Sequence, residues 1–355
     1  MRPQRKTADL APSDCWYGVA AADAVGRQLT GLRLLDRPVL LYRTQDGHAV
    51  ALEDRCAHRA YPLSAGTLVG DDVQCGLCGF VYGTDGVCSR VPTQARVPLG
   101  AHVASYPVQE TDGVVWVWLG EPGRARRHRV PELAWLAQEG WATVAGERVA
   151  AAGFLLLLEN FADVTQVPFV APEIAPSALG QAPPELDVEV TETTVTLLRE
   201  FPAAVLPPWQ ARMLGVDVRE RFTTSQRGFF LSPAVWVDYW DVTGSDGRTA
   251  RLRFTHLVTP VSEARSRVLW RVSRDFALDD AGASAAVAAM FEDYYRRVFA
   301  AMETAQAALD LDGPGAEVNV SADVAALRVR EIVTSMLAEE LPVRAARVPA
   351  AGPHR

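Results

Sequence analysis

The chain has 355 residues, 49% of them hydrophobic and 22% charged, with a net charge of −8. That length allows one large domain or two ordinary ones with a sizeable core, and the absence of a basic run leaves nucleic acid and anionic membranes outside the expected partners. The longest apolar run, Val149 to Leu158, is too short to span a bilayer, and the N-terminus lacks the apolar stretch of a secretory signal, so a cytoplasmic location with reduced thiols is expected.

Residues 14–125 read as short strands punctuated by turns. Asp46-Gly47 and Asp85-Gly86 sit between alternating segments as hairpin turns, and VVWVWLGEPG (114–123) is an alternating Val/Trp strand with a Gly-Pro-Gly stop. Arg124 to Arg129 is a polar connector. Beyond it, Phe154 to Phe169 has the apolar spacing of one helix ending near Pro168 and Pro172. Strand-like segments follow over 186–201, 222–243, 251–260 and 268–276. An Ala-rich helix is predicted over 283–309 and a final amphipathic helix over 323–341.

The most specific chemical signal is Cys56-x-His58, a sixteen-residue loop, then Cys75-x-x-Cys78. Two short chelating hooks bring four soft or borderline ligands to one point, where they can hold either a 2Fe–2S cluster or a single Zn²⁺. A Cys-x-x-Cys hook suits one zinc ion; the tight Cys-x-His hook suits a cluster, which is the preferred reading of the two. Three thiolates with one His make an electron-rich site, which lowers the expected reduction potential. Cys15 and Cys88 lie outside the hooks and read as small buried hydrophobes.

CWYGVA (15–20), ALEDRCAHRAYPLSAGTLVGDDVQC (51–75), GFVYGTDGVCSRVP (79–92) and ADVAALRVREIV (322–333) together resemble the Rieske non-haem iron oxygenases, in the branch of the vanillate O-demethylases. The resemblance implies an α+β protein with an N-terminal all-β Rieske-like domain over 1–130 and a C-terminal helix-grip domain over 131–355. It also implies a homotrimer, a bridging Asp between neighbouring centres, and a reductase partner if the cluster is redox-active. The fourth Rieske ligand should be His and is Cys78. The family's mononuclear iron is held by two His and a carboxylate, and the stretch that aligns is Asn160-x-x-Asp163-x-x-Gln166-x4-Ala171, with Gln and Ala at the two His positions. The third ligand should be an Asp about three residues past a Phe of the late helix, and counting from Phe299 gives Met302, with Glu303 one residue off register. No mononuclear iron is expected from that set. The remaining histidines, His48, His102, His128, His256 and His354, do not pair at ligand spacing and read as structural or exposed.

The first expectation for function is a redox-neutral enzyme reusing the emptied pocket, cyclising or isomerising a small hydrophobic specialised metabolite held in a reactive conformer. Gln166, Glu159, Asp163 and Tyr239 are its candidate catalytic groups, and Phe154, Phe161, Trp209, Met213, Trp236 and Met302 its candidate pocket wall. The alternatives are a Rieske-type monooxygenase or demethylase with an unusual ligand set such as Asp163, Glu159 and Glu303, and a non-catalytic electron-transfer or accessory subunit.

Overall fold

The protein is described here by a computed structural model covering residues 11–163, 165–175, 186–313, 315 and 317–345; His354 lies outside them. Alternation of apolar and polar residues in the first third folds into eleven short strands. They are β1 (Trp16–Ala21), β2 (Thr30–Leu34), β3 (Arg37–Arg43), β4 (Ala49–Glu53), β5 (Thr67–Val69), β6 (Asp72–Gln74), β7 (Val81–Tyr82), β8 (Cys88–Arg90), β9 (Ser105–Tyr106), β10 (Val108–Thr111) and β11 (Val114–Trp118). Three antiparallel sheets result, in the orders β1-β11-β10, β2-β3-β4-β9 and β5-β6-β7-β8. All five residues of β11 are buried, Val and Trp alike. Trp16 of β1 meets Trp118 edge-on at 5.6 Å, and this small sheet packs onto the second half of the chain, where the Thr259 hydroxyl donates to the Gly18 carbonyl at 3.0 Å. A Cβ at Gly18 would come within 2.8 Å of a Leu257 methyl, so any side chain there would have to push Leu257 aside.

A one-turn helix, α1 (Pro122–Ala125), leads into the second half. There the strands are β12 (Ala142–Ala150), β13 (Asp187–Val190), β14 (Val195–Val205), β15 (Arg221–Ser232), β16 (Val235–Thr243), β17 (Thr249–Ser262) and β18 (Arg265–Arg274). They form one seven-stranded antiparallel sheet, ordered β12-β18-β17-β16-β15-β14-β13. Its helices are α2 (Phe154–Ala162), α3 (Val167–Val170), α4 (Pro208–Leu214), α5 (Ala281–Asp312) and α6 (Val324–Ala345). Along β16 the period of two sends Trp236, Asp238 and Trp240 to one face and Val235, Val237 and Tyr239 to the other. The helices cover the first face; the first-domain strand β1 meets the second.

Helix α5 starts on Asp280, whose carboxylate accepts from the Ala283 N–H at 3.0 Å. Phe291, Tyr294, Tyr295, Val298 and Phe299 are buried at the i, i+3, i+4, i+7 and i+8 spacing that turns one stripe onto the sheet. The single helix predicted over 154–169 is instead two. Asp163 leaves the helix (φ −90°, ψ 110°), and its carboxylate accepts from Thr165 N–H at 2.8 Å and from the Thr165 hydroxyl at 2.7 Å. Local side-chain bonds of this kind compete with helix continuation, and Pro168 opens α3 just beyond. Among the described residues no helix is long and apolar enough to cross a membrane.

Candidate functional site

The two hooks are built alike. Cys56 N–H donates to the Tyr61 carbonyl at 2.8 Å, and Cys75 N–H to the Phe80 carbonyl at 2.8 Å. Each first cysteine's carbonyl in turn accepts from the residue four further on, Ala60 at 2.9 Å and Gly79 at 3.0 Å, and both of those residues have positive φ, +56° and +71°. A side chain at Gly79 would also strike Pro92. Each loop thus turns its amide groups and thiol inward. The sulfurs of Cys56, Cys75 and Cys78 all lie within 4.8 Å of one another, with Cys56 and Cys78 at 3.6 Å. The Tyr82 hydroxyl lies 3.2 Å from the Cys56 sulfur. Burial opposes ionisation of Cys56, but that bond and those from the neighbouring backbone and thiols outweigh it and hold the thiol below its ordinary value. His58 sits on the exposed side of its hook with its ring stacked on Phe80, 5.0 Å between centroids. Three converging thiols fit a thiolate-held iron–sulfur cluster, which when bound passes single electrons, whereas His58, the fourth expected ligand, is not among the groups that lie within 4.8 Å of one another.

The second site is a cavity of about 30 Å³ between the helix-covered face of the sheet and α2, α3 and α5. That is room for a water-sized group and not for an aromatic ring. Asp163 and Gln166 line it, as do Asp238 and His256 from the sheet and Tyr294 and Tyr295 from α5, with Phe161, Trp240 and Phe291 among its apolar walls. Burial raises the Asp238 carboxyl to about 7, with the Arg199 guanidinium working the other way. Burial also lowers His256 to about 3, so its ring is neutral. One ring nitrogen is 2.8 Å from the Tyr295 hydroxyl, the other is 4.0 Å from the Asp238 carboxylate, and the ring stacks on Phe161 at 4.0 Å. A buried carboxyl poised near neutrality is suited to taking or giving a proton.

At the family's iron position the residues do not fit the metal. Gln166 is on the cavity wall, Ala171 is fully buried and offers no donor, and α5 turns Tyr294 rather than Met302 to the cavity. Phe291 offers the same count as Phe299: Tyr294 lies three residues past it and lines the cavity together with Gln166. Met302, two turns further along α5, is half-buried against the core. A neutral amide, a methyl and a phenol whose ionisation burial strongly disfavours cannot replace two imidazoles and a carboxylate.

Several other expected site residues stand elsewhere. Tyr239 points to the opposite face of the sheet, where Arg253 lies 3.8 Å above its ring. Glu159 is taken by Arg330 of α6, with the guanidinium Nε at 2.6 Å, and Glu303 accepts from the Ala151 N–H at 3.1 Å. The set Asp163, Glu159 and Glu303 is therefore not brought together. Phe154 packs edge-on against Tyr17 at 6.2 Å, Trp236 is fully buried over Gly228, and Met213 is half-buried in the core. Trp209 stands behind the wall, edge-on to Phe291 at 6.0 Å. Phe161, Asp163 and Gln166 line the cavity. His256, Asp238 and Tyr294 were not singled out, because lone polar residues in strands or helices carry no local signal until the sheet and α5 face each other.

The signature of the Rieske [2Fe-2S] domain matches residues 15–107, and that of the vanillate O-demethylase oxygenase C-terminal domain matches residues 150–339. The chain is 30% identical over 301 residues to a toluene-4-sulfonate monooxygenase system iron–sulfur subunit of Comamonas testosteroni, covering 82% of this chain and 84% of that one. It is 28% identical to the oxygenase component of dicamba O-demethylase from Stenotrophomonas maltophilia (75% and 79% covered) and 26% identical to a vanillate O-demethylase oxygenase subunit from a Pseudomonas species (75% and 78%). The crystal structure of dicamba monooxygenase bound to 3,6-dichlorosalicylic acid superimposes with a TM-score of 0.83 at 26% identity, over 94% of this chain and 99% of that one. The hooks, the seven-stranded sheet with its helices and these matches across both halves agree, and the chain belongs to the Rieske oxygenase family, among the alpha subunits of vanillate O-demethylase type.

Proposed function

We propose that this chain is an enzyme of that family which takes a small, largely apolar substrate at the cavity beside Asp238. Residues 1–130 form its electron-entry domain and residues 131–355 its substrate domain. Kinship favours a monooxygenase or demethylase component over a cyclase. Supporting it are the relatives' names across most of the chain and the three converging thiols, whose cluster would receive electrons from a reductase. A homotrimer, in which one subunit's cluster faces the next subunit's cavity, belongs to the same reading. Because Gln166, Ala171 and Tyr294 do not fit the family's iron, this reading requires a metal held by other donors, and we derive no step through it.

One observation favours a second reading, a redox-neutral isomerisation or cyclisation. Gln166 and Tyr294 face one cavity together with Asp238, a carboxyl near neutrality. Asp238 would then move the proton while the aromatic walls exclude water. Since the cavity holds only a water-sized group, either reading requires Tyr294 or α3 to yield when substrate enters. Metal analysis of the purified full chain, followed by turnover with and without oxygen, separates the two. Iron beyond the cluster together with oxygen-dependent turnover in the presence of a reductase establishes the first. Cluster iron alone with undiminished anaerobic turnover establishes the second.

A further inference from the structure

A second recess lies on the opposite face of the sheet from the Asp238 cavity, at the junction of the two domains. It is a cleft of about 420 Å³, within the range of about 300 to 1,000 Å³ common for small-molecule sites. The first domain supplies an aliphatic wall of Ala20, Ala21, Val25, Leu32 and Leu41, and β12 and β18 supply the other wall, with Arg267 and Arg271. Alternation along β18 puts both arginines on this face and turns Trp270 to α5, where it stacks on Tyr295 at 4.4 Å. The two arginines are held differently. Arg267 Nη2 donates to both Glu147 oxygens at 2.9 Å, so its charge is met. Arg271 is 8% exposed, and its Nη1 donates to the Trp270 carbonyl at 2.9 Å and the Gly146 carbonyl at 3.4 Å. Among the described residues Arg271 forms no ion pair and its Nε and Nη2 donate to nothing; Glu147 and Asp23 act on it only through their field, and burial lowers it.

A guanidinium this deeply buried without a counter-charge is costly, and its fork of donors matches a carboxylate. Here that fork and an aliphatic wall share one cleft, a combination met by an anion with an apolar body. No aromatic ring lines the cleft to stack on a flat ligand, so the body that fits is an alkyl chain. We propose that the cleft binds a medium-chain alkyl carboxylate, with its carboxylate on Arg271 and its chain along Ala20, Val25, Leu32 and Leu41. Such a ligand touches β1 to β3 of one domain and β12 and β18 of the other, and so clamps their junction. The inference rests on neither reading of the chemistry, because the sheet separates this cleft from the Asp238 cavity.

Calorimetric titration of the full chain, with its cluster loaded, against octanoate, octanamide and inorganic phosphate is the test. Octanoate binds, and octanamide and phosphate bind roughly tenfold more weakly or not at all. Affinity falls by up to about fourfold for each methylene removed on going to hexanoate and butanoate. Arg271→Met lowers octanoate affinity to that of octanamide, and Arg271→Lys keeps part of the difference. Ala145 lies on the exposed rim of the cleft, directly across the ladder from Arg271, so Ala145→Phe blocks octanoate while leaving the buried guanidinium in place. Should Arg271→Met not fold, the Ala145→Phe titration decides. The proposal is overturned by octanoate that does not bind, by octanamide or phosphate binding as tightly as octanoate, or by octanoate binding that Ala145→Phe or a folded Arg271→Met leaves unchanged.

Discussion

The hooks and the second-domain cavity are the two places where this family binds iron, and the chain treats them differently. At the hooks one ligand type has changed, yet the backbone still directs three sulfurs to a common point through two loops with matching hydrogen bonds and matching positive-φ residues. At the cavity Asp163 is kept on the wall, but beside it stand Gln166 and Tyr294 where two imidazoles and a carboxylate would be needed. A metal-binding loop is selected by its backbone as much as by its ligands, whereas a facial triad sits on elements that the core holds in place anyway. Losing the triad is therefore expected to leave the fold intact, and losing the hooks to weaken it.

The largest effect expected from this contrast is at the hooks. Cys75→Ala removes a buried thiol central to the cluster and to the small core of Leu40, Tyr42, Leu52 and Val73. It is expected to abolish cluster iron and to lower the melting temperature of the first domain by roughly 10 °C or more, since metal-binding free energy is folding free energy in such domains. A folded Cys75→Ala protein with unchanged melting would show that the metal is not structural. The second effect reverses the other half of the comparison. Gln166→His, Ala171→His and Tyr294→Asp together restore the donor types of the family, and the triple variant should take up about one further iron per chain on anaerobic loading with Fe(II). If the wild-type chain takes up the same additional iron, its cavity already binds metal through other groups and the contrast drawn above is wrong.

A smaller effect separates the two sites by pH. The Asp238 carboxyl is raised from 3.8 to about 7 by burial, so the folded protein holds a proton that the unfolded chain releases. Stability from this group is fully present below about pH 4 and is lost as pH rises toward 7, on the order of a few kcal/mol across that window. Asp238→Asn should flatten this decline in melting temperature. A wild-type curve that rises over the same window would show that Asp238 is ionised and paired in the folded protein.

Much of this was legible in the sequence. The hooks were, because metal ligands two and three residues apart are a local pattern. So were the Asn160–Asp163 pair with Gln166 and Ala171 in register behind it. The third centre position was not. Phe291 and Phe299 both precede the right spacing on α5, and only the helix's rotation against the sheet puts Tyr294, not Met302, inside. Tyr239 was misplaced for a related reason. In a strand buried on both faces the period of two does not say which face carries the pocket, and Tyr239 belongs to the face with Arg253, Arg227 and Asp241, where both arginines pair with that aspartate.

The smallest expected effect concerns Glu159, which in the sequence looks like a catalytic carboxylate one helical turn from Asp163. In the structure it is outside the cavity, and Arg330 of α6 holds it while also reaching Glu317 at 2.7 Å. This pair ties α2 to the last helix, and its partners are partly exposed, with side-chain exposures of 36% for Arg330 and 16% for Glu159. A bidentate but partly solvated ion pair contributes about 1 kcal/mol. Glu159→Gln, which keeps the shape and one acceptor, should therefore lower the melting temperature by a few degrees and leave turnover per folded molecule unchanged. A hundredfold loss of turnover with unchanged melting would instead make Glu159 part of the chemistry and place the reacting atoms on the α6 side of α2. The working centre would then lie away from both of the family's iron positions.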